Sequence, residues 1–249
     1  MTRTVLVTGA AGGIGSAVAA RFHRSGDRVL ITDLPGDGLT AVAERLGVPA
    51  HGADLRSVDA CRGVVDWAVA TTGALDVLVN VAGVWREGPT EDTTEADFDL
   101  VMGVNFKGLY YTSAAAIPHL RARQGLIVNL SSDAGVQGNT GAALYCASKG
   151  AVSLFTKALA LELAGDVRVV AVCPGDVKSP MLEFQAQRYG EGDPDAYYRR
   201  LLAGYPQGRR ARFIEPDEIA SLIEYLARPE AAPITGALLS IDFGYSAGK

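Results

Sequence analysis

Apolar residues come in short uninterrupted runs, separated by longer stretches in which they recur at helical spacing. The runs at 4–7, 28–32, 48–52, 76–80, 126–130, 167–172 and 237–241 have the length of strands and no polar alternation, the pattern of strands covered on both faces. Helical periodicity marks Ile14 to Arg24 and the segments 57–71, 95–118, 145–164 and 216–227. Thr93, Thr94 and Glu95 offer cap chemistry for the segment that begins there, and Pro216, Asp217 and Glu218 suit a first helical turn. Apolar strands alternating with helices predict an α/β fold: a doubly wound, seven-stranded parallel sheet with helices on both faces. With no internal repeat and no low-complexity linker, residues 1–249 read as one domain. The segment at about 178–215 interrupts the alternation and reads as irregular, rich in Tyr, Arg, Gly and Pro. Ligands of open parallel sheets sit at the carboxyl ends of the strands, so this insertion is expected to be a substrate lid.

Composition narrows the function classes. Apolar residues make up 48% of the chain, ample for a large core. The net charge is −5 with no basic block, which argues against nucleic acid as a partner. No apolar run approaches the ~18 residues of a membrane span. The chain enters a strand at once, so no signal peptide is expected. Cys61, Cys146 and Cys173 are odd in number and lack CxxC spacing, so they read as reduced thiols in a cytoplasmic protein. His23, His51 and His119 have no metal-ligand spacing, and no metal site is expected.

Two constellations carry chemistry. The first is TGAAGGIG at 8–15, directly after the apolar run that ends at Val7. A strand, a tight turn through Gly9, and a helix opening at Gly13, Ile14 and Gly15 present free backbone N–H groups and a positive dipole end to a pyrophosphate. Asp33 ends the next strand, 20 residues after Gly13, where a dinucleotide fold places an acid for the adenosine ribose. The second is Tyr145 and Lys149, four residues apart and therefore on one helix face, with Ser132 lying 13 residues before the tyrosine. A free phenol has a pKa of about 10. A neighbouring cation is expected to lower it and so make a base of Tyr145. Ser131 competes with Ser132, but on a strand the two point opposite ways.

These motifs, kept in order along nearly the whole chain, resemble the short-chain dehydrogenase/reductase family. The similarity rests on TGAAGGIG, Asp54 after the third strand, NVAG at 80–83, Asn105 in VNFKG, Ser132 in NLSSDAG, Tyr145-x-x-x-Lys149, PGDVKS at 174–179, and the late ITG…IDFG stretch. It implies a Rossmann-like fold and an oxidoreductase that interconverts a secondary alcohol and a ketone. In that family Tyr145 is the acid/base, Lys149 holds the nicotinamide ribose, Ser132 bonds the substrate oxygen, and Asn105 bends its helix and anchors a water. The cofactor contacts it implies are Gly9, Gly13, Ile14, Gly15, Asp33, Leu34, Asp54, Leu55, Asn80, Ala82, Gly83, Pro174, Gly175, Val177 and Ser179, with Tyr145 and Lys149. Asp33 would repel the extra phosphate of NADP, Leu34 is no cation, and Gly12 stands where NADP-using relatives often carry Arg or Lys, so NAD is the expected cofactor.

Val84, Trp85, Asp133, Gln137, Met181 and the Arg- and Tyr-rich lid, with Ser132 and Tyr145, are expected to shape the substrate pocket for a small alcohol or ketone. Trp85 reads equally as a pocket wall or a packing aromatic. Arg188, Arg199 and Arg200 read as a screened surface run, because Glu191, Asp193 and Asp195 lie among them. Phe243 departs from the glycine common in the family. A 3-oxoacyl carrier-protein reductase and a catalytically silent dinucleotide sensor stand as alternatives. The family usually assembles as tetramers through the helices at about 95–118 and 145–164, and a homotetramer is expected here.

Overall fold

The computed structural model describes residues 2–248. The apolar runs become strands β1 (Thr4–Thr8), β2 (Arg28–Asp33), β3 (Ala50–Gly52), β4 (Val77–Asn80), β5 (Leu126–Leu130), β6 (Arg168–Pro174) and β7 (Leu238–Ile241). They pair in parallel in the order β3-β2-β1-β4-β5-β6-β7, the doubly wound sheet that the alternation predicts.

Strand pleat explains why these strands are apolar throughout. Val5, Val7, Val77, Val79 and Val128 face one layer, where α1 (Gly13–Arg24), α2 (Asp37–Leu46) and α9 (Pro216–Leu226) bury Val18, Phe22, Leu39, Ile219 and Ile223 against them. The alternate residues Leu6, Leu30, Leu78 and Ile127 face the other layer, against α3 (Val58–Thr72), α5 (Leu109–Arg121) and α6 (Ala143–Glu162), which contribute Val64, Ala68, Leu120 and Leu159. Both faces are therefore covered, and each strand needs hydrophobic residues at both parities.

Three elements differ from expectation. The helix expected over 95–118 is broken: α4 (Glu95–Met102) runs into a π-helical turn at Gly103–Gly108 before α5 begins. Helix α2 fills a stretch in which periodicity is short and the entry residue is Gly36, with no side-chain cap. Segment 178–215 is not irregular: it holds α7 (Pro180–Tyr189) and α8 (Pro194–Ala203). Ser179 and Asp193 cap these helices through their side chains, each followed by proline in the first turn. That is a strong start signal, masked here by the surrounding Gly, Asp and Arg.

The sheet order reverses beside β1. Its crossover to β2 leaves one way and the chain returns through β4 on the other side, which opens a crevice at the strand ends. Thr8 closes the base of that crevice, its Oγ1 accepting the backbone N–H groups of Val81 (3.1 Å) and Ala82 (3.3 Å).

Candidate active site

The carboxyl ends of the central strands open into one cavity of about 990 Å³. Every cofactor position expected from the sequence lines it except Asn80, and Ser132, Tyr145, Lys149, Val84, Trp85 and Met181 line it as well. Asn80 lies beneath the cavity, tied to its neighbours in the sheet. Its register with Asn129 puts both side chains abreast, and its amide donates to Asn129 (2.9 Å) and Ser113 (3.0 Å). Gln137 also lies outside the lining; its amide donates to Asp133 and Asn139, both at 3.3 Å.

At one end stands the glycine turn. Gly9 takes φ +68°, and a Cβ there would lie 2.6 Å from the Ala82 nitrogen; a Cβ on Gly15 would lie 2.1 Å from the Gly9 carbonyl oxygen. Helix α1 starts at Gly12 without a side-chain cap, so its first N–H groups remain free to meet an anion. Asp33 is held beside the turn, accepting from the Ala11 N–H (2.9 Å) and the Leu34 N–H (2.7 Å). A glycine cradle closed to side chains, with a fixed carboxylate at its rim, fits the pyrophosphate and ribose of a dinucleotide. Asp54 lines the cavity beyond and grips Arg56 through both oxygens (2.6–3.0 Å), and that guanidinium holds its carboxyl below the usual range.

At the other end β5 delivers the two serines. Ser131 donates to the Lys149 carbonyl (3.0 Å) and meets Ser153 at 2.8 Å, so it is tied to α6. Ser132 caps the following turn by accepting from the Ala134 N–H (3.2 Å), and donates to Asp133 Oδ1 at 2.7 Å. Tyr145 and Lys149 project together from α6: the ammonium lies 5.7 Å from the phenol ring centroid and donates to the Leu130 carbonyl at 2.8 Å. Trp85 is both wall and packing partner, its ring 4.2 Å from that of Tyr145.

Asn105 is fully buried in the π turn, not an ordinary exposed helical polar residue. Its amide donates to the Val84 carbonyl and to Ser148 Oγ, each at 3.0 Å, and accepts the Val84 N–H at 2.8 Å. It thereby fixes the loop that forms the cavity wall.

The electrostatics correct one expectation. Burial pushes the Tyr145 phenol above its ordinary value and the nearby Asp133 carboxylate adds to the shift, while a bond with Ser132 opposes it. Lys149 does not reverse this. Burial pulls its own amino group down to about 8, and at this depth the cost of desolvating either charge outweighs their attraction. Asp176, just past β6, is raised to about 6 by burial and by Asp133.

Glu87, Asp176, Gln185 and Tyr197 are among the lining groups that went unremarked in the sequence. Tyr197 and Trp85 both donate to Glu87 Oε2, at 3.0 and 2.7 Å. Asp176 stands inside PGDVKS, and Glu87 is two residues past Trp85, the spacing of one face of extended chain. Arg200 is exposed and also borders the cavity, its guanidinium 4.9 Å from the Tyr197 ring centroid. Arg199 remains a surface ion pair with Asp193 at 3.5 Å. Phe243 takes φ +54°, a left-handed conformation that favours glycine. Its ring packs under Arg212 (4.8 Å) and beside Tyr205 (6.4 Å), outside the cavity lining.

Comparison with known proteins agrees with this geometry. A family model described as enoyl-(acyl carrier protein) reductase matches residues 9–246. The chain is 36% identical to a 3-oxoacyl-(acyl-carrier-protein) reductase of Thermotoga maritima, covering 97% of each chain. It is 35% identical to a meso-2,3-butanediol dehydrogenase of Serratia marcescens, covering 98% of this chain and 95% of the relative. A crystal structure of actinorhodin polyketide ketoreductase with NADPH superposes with a TM-score of 0.93 at 35% identity, over 98% of this chain and 97% of the other.

The environment of Tyr145 sets a testable titration. In the free protein its phenolate should form only above the ordinary 10.0, and Asp133→Asn should bring that transition down. Ultraviolet phenolate absorbance against pH, taken as the difference from Tyr145→Phe, measures both. A transition below 10.0 in the unsubstituted protein, or one unmoved by Asp133→Asn, contradicts this electrostatic account.

Proposed function

The chain belongs to the short-chain dehydrogenase/reductase family, and we propose that it is an NAD-dependent oxidoreductase interconverting a secondary alcohol and a ketone. The observation that carries this reading is the convergence of Ser132, Tyr145 and Lys149 on one wall of a cavity whose far end is the glycine turn and Asp33.

Gly9 and the free N–H groups of α1 would hold the pyrophosphate, Asp33 the adenosine ribose, and Lys149 the nicotinamide ribose. Bound there, the dinucleotide supplies or takes up the hydride. Tyr145 gives its phenolic proton to the carbonyl oxygen in reduction and takes it from the alcohol in oxidation. Ser132 bonds the same oxygen once its hydroxyl turns from Asp133. Helices α7 and α8 act as the lid. Tyr197 fastens the lid to Glu87, and Tyr205, just past α8, fastens it to Asp176 (3.1 Å).

A 3-oxoacyl carrier-protein reductase is the second reading, favoured by the Thermotoga maritima relative. The carboxylates in this cavity suit an acidic carrier's cargo less well. A silent sensor is disfavoured because Asn105, Ser132, Tyr145 and Lys149 are all present. The three thiols are free, which suits a cytoplasmic enzyme, and no helix among the described residues is long and apolar enough to cross a membrane.

Removing one hydroxyl tests the acid/base role. Tyr145→Phe should keep NADH affinity while kcat falls at least ~100-fold, and Ser132→Ala should cost more than Ser131→Ala. Near-normal turnover of Tyr145→Phe would remove Tyr145 from the chemistry.

Cofactor preference follows from Asp33. NAD should be preferred over NADP by at least ~100-fold in kcat/KM, about 2.7 kcal/mol, and Asp33→Ala with Leu34→Arg should narrow or reverse that ratio. Fluorescence titration with NADH and NADPH checks binding apart from turnover. Equal affinity in the unsubstituted protein, or an unchanged ratio in the double variant, contradicts the assignment.

Assembly follows from apolar residues that the chain's own packing leaves bare. Leu109 and Leu159 are buried within the protomer, whereas Phe98, Tyr110, Leu154 and Leu161 on α4, α5 and α6 are exposed. We propose that symmetry mates cover them in a homotetramer. Light scattering should give about four times the 26.0 kDa chain mass; a single-chain mass at micromolar concentration contradicts it.

A further inference from the structure

Besides Asp33 and Asp54 near the glycine turn, the cavity presents three carboxylates: Glu87, Asp133 and Asp176. Asp133 is used on both oxygens, by Ser132 on Oδ1 and by Gln137 and Asn139 on Oδ2. The other two keep an oxygen in reserve. Glu87 takes Trp85 and Tyr197 on Oε2, and Asp176 takes Tyr205 on Oδ2. Glu87 Oε1 and Asp176 Oδ1 therefore accept no protein donor among the described residues.

An independent observation has the opposite sense. Gln185 on α7 is only 7% exposed and lines the same cavity. Its Oε1 meets the Tyr197 hydroxyl at 3.5 Å, and its Nε2 donates to nothing among the described residues. That amide N–H pair faces the cavity with no protein acceptor, open to an oxygen of a ligand. Arg200, stacked on Tyr197, adds further donors to this wall.

This mixture of unmet acceptors and donors selects the occupant. An ammonium group would satisfy Glu87 and Asp176, but it leaves Gln185 unmet and faces Arg200. A carboxylate or phosphate would satisfy Gln185 and meet repulsion from two acids. The carboxylates do not converge as a metal-holding group among the described residues. An acyl chain satisfies none of these groups and desolvates all of them. A hydroxyl both donates and accepts, so several on adjacent carbons meet every requirement at once.

We infer that the substrate is a polyhydroxylated small molecule, with hydroxyls flanking the reacting carbinol read by Glu87, Asp176 and Gln185. The inference rests on the dehydrogenase reading of this cavity and adds its specificity. A site built to bond a hydroxyl discriminates strongly against the analogue without it, because its own buried polar groups are then left unpaired.

The test compares cyclohexanol, cyclohexane-1,2-diol, cyclohexane-1,2,3-triol and 2-aminocyclohexanol. Each is assayed for NAD reduction with the unsubstituted enzyme, Gln185→Met and Glu87→Gln, and each is titrated calorimetrically into the enzyme–NADH complex. The triol should exceed cyclohexanol in kcat/KM by at least ~100-fold, two hydrogen bonds at roughly tenfold each. Gln185→Met should cut that preference at least ~10-fold, and Glu87→Gln should cut it as well. Equal use of cyclohexanol and triol, a preference for the amino alcohol over the diol, or a preference unchanged in both variants overturns the inference. If no compound is turned over, the calorimetry still decides: tighter binding of the triol than of cyclohexanol supports a polyol site, and equal or no binding overturns it.

Discussion

The neighbouring of β1 and β4 is the constraint on which the rest of the molecule depends. These strands lie side by side in the sheet but far apart in sequence, and their connections depart to opposite faces. The space between the departing chains cannot be filled by either, so a crevice is unavoidable. Its floor must be backbone, because Gly9 lies against Ala82 with no room for a side chain. Thr8 locks the two strand ends together at that spot through the Val81 and Ala82 amides. The glycine turn, Asp33 and the Val81–Trp85 wall all take their positions from this junction, and β5 brings Ser132 to it from the next place in the sheet.

Burial then decides the character of the groups gathered there. Lys149 and Tyr145 are almost wholly removed from water, and each is pushed toward its neutral form. Water would solvate a phenolate or an ammonium far better than this cavity does. The carboxylate of Asp133 adds to the resistance of Asp176 to charge, and both add to that of the phenol. Burial and the two acids thus act in the same direction on the Tyr145 phenol, toward its protonated form.

Much of this was legible in the sequence because it rests on local rules. Seven apolar runs, the glycine spacing and the four-residue step from Tyr145 to Lys149 are short-range patterns, and they mapped onto strands, turn and helix face within a few residues. What escaped depends on approach between distant segments. Asn80 belongs to a cofactor-like motif, yet strand register turns it toward Asn129. Gln137 lies near the site in sequence, but the turn opened by Ser132 spends its amide on Asp133 and Asn139. Glu87, Asp176 and Gln185 come from three separate loops and helices, and no spacing in the chain joins them. The lid helices were hidden by composition, although Ser179-Pro180 and Asp193-Pro194 carried their start signals.

The π turn at Gly103–Gly108 has a consequence for how this fold can change. Such a turn holds one residue more than a regular helix needs over the same length, which rotates everything beyond it by about 100° relative to an uninterrupted helix. The surplus residue lets Asn105 reach Val84 and Ser148 while Gly108 nestles 2.9 Å, at a built Cβ, from the Leu55 carbonyl. Loss of a single residue anywhere in that turn would restore a smooth helix and swing Asn105 out of reach, with every other site residue intact. The chain length between α4 and α5 thus itself shapes the wall of the cavity, and in this stretch deletions are more hazardous than substitutions.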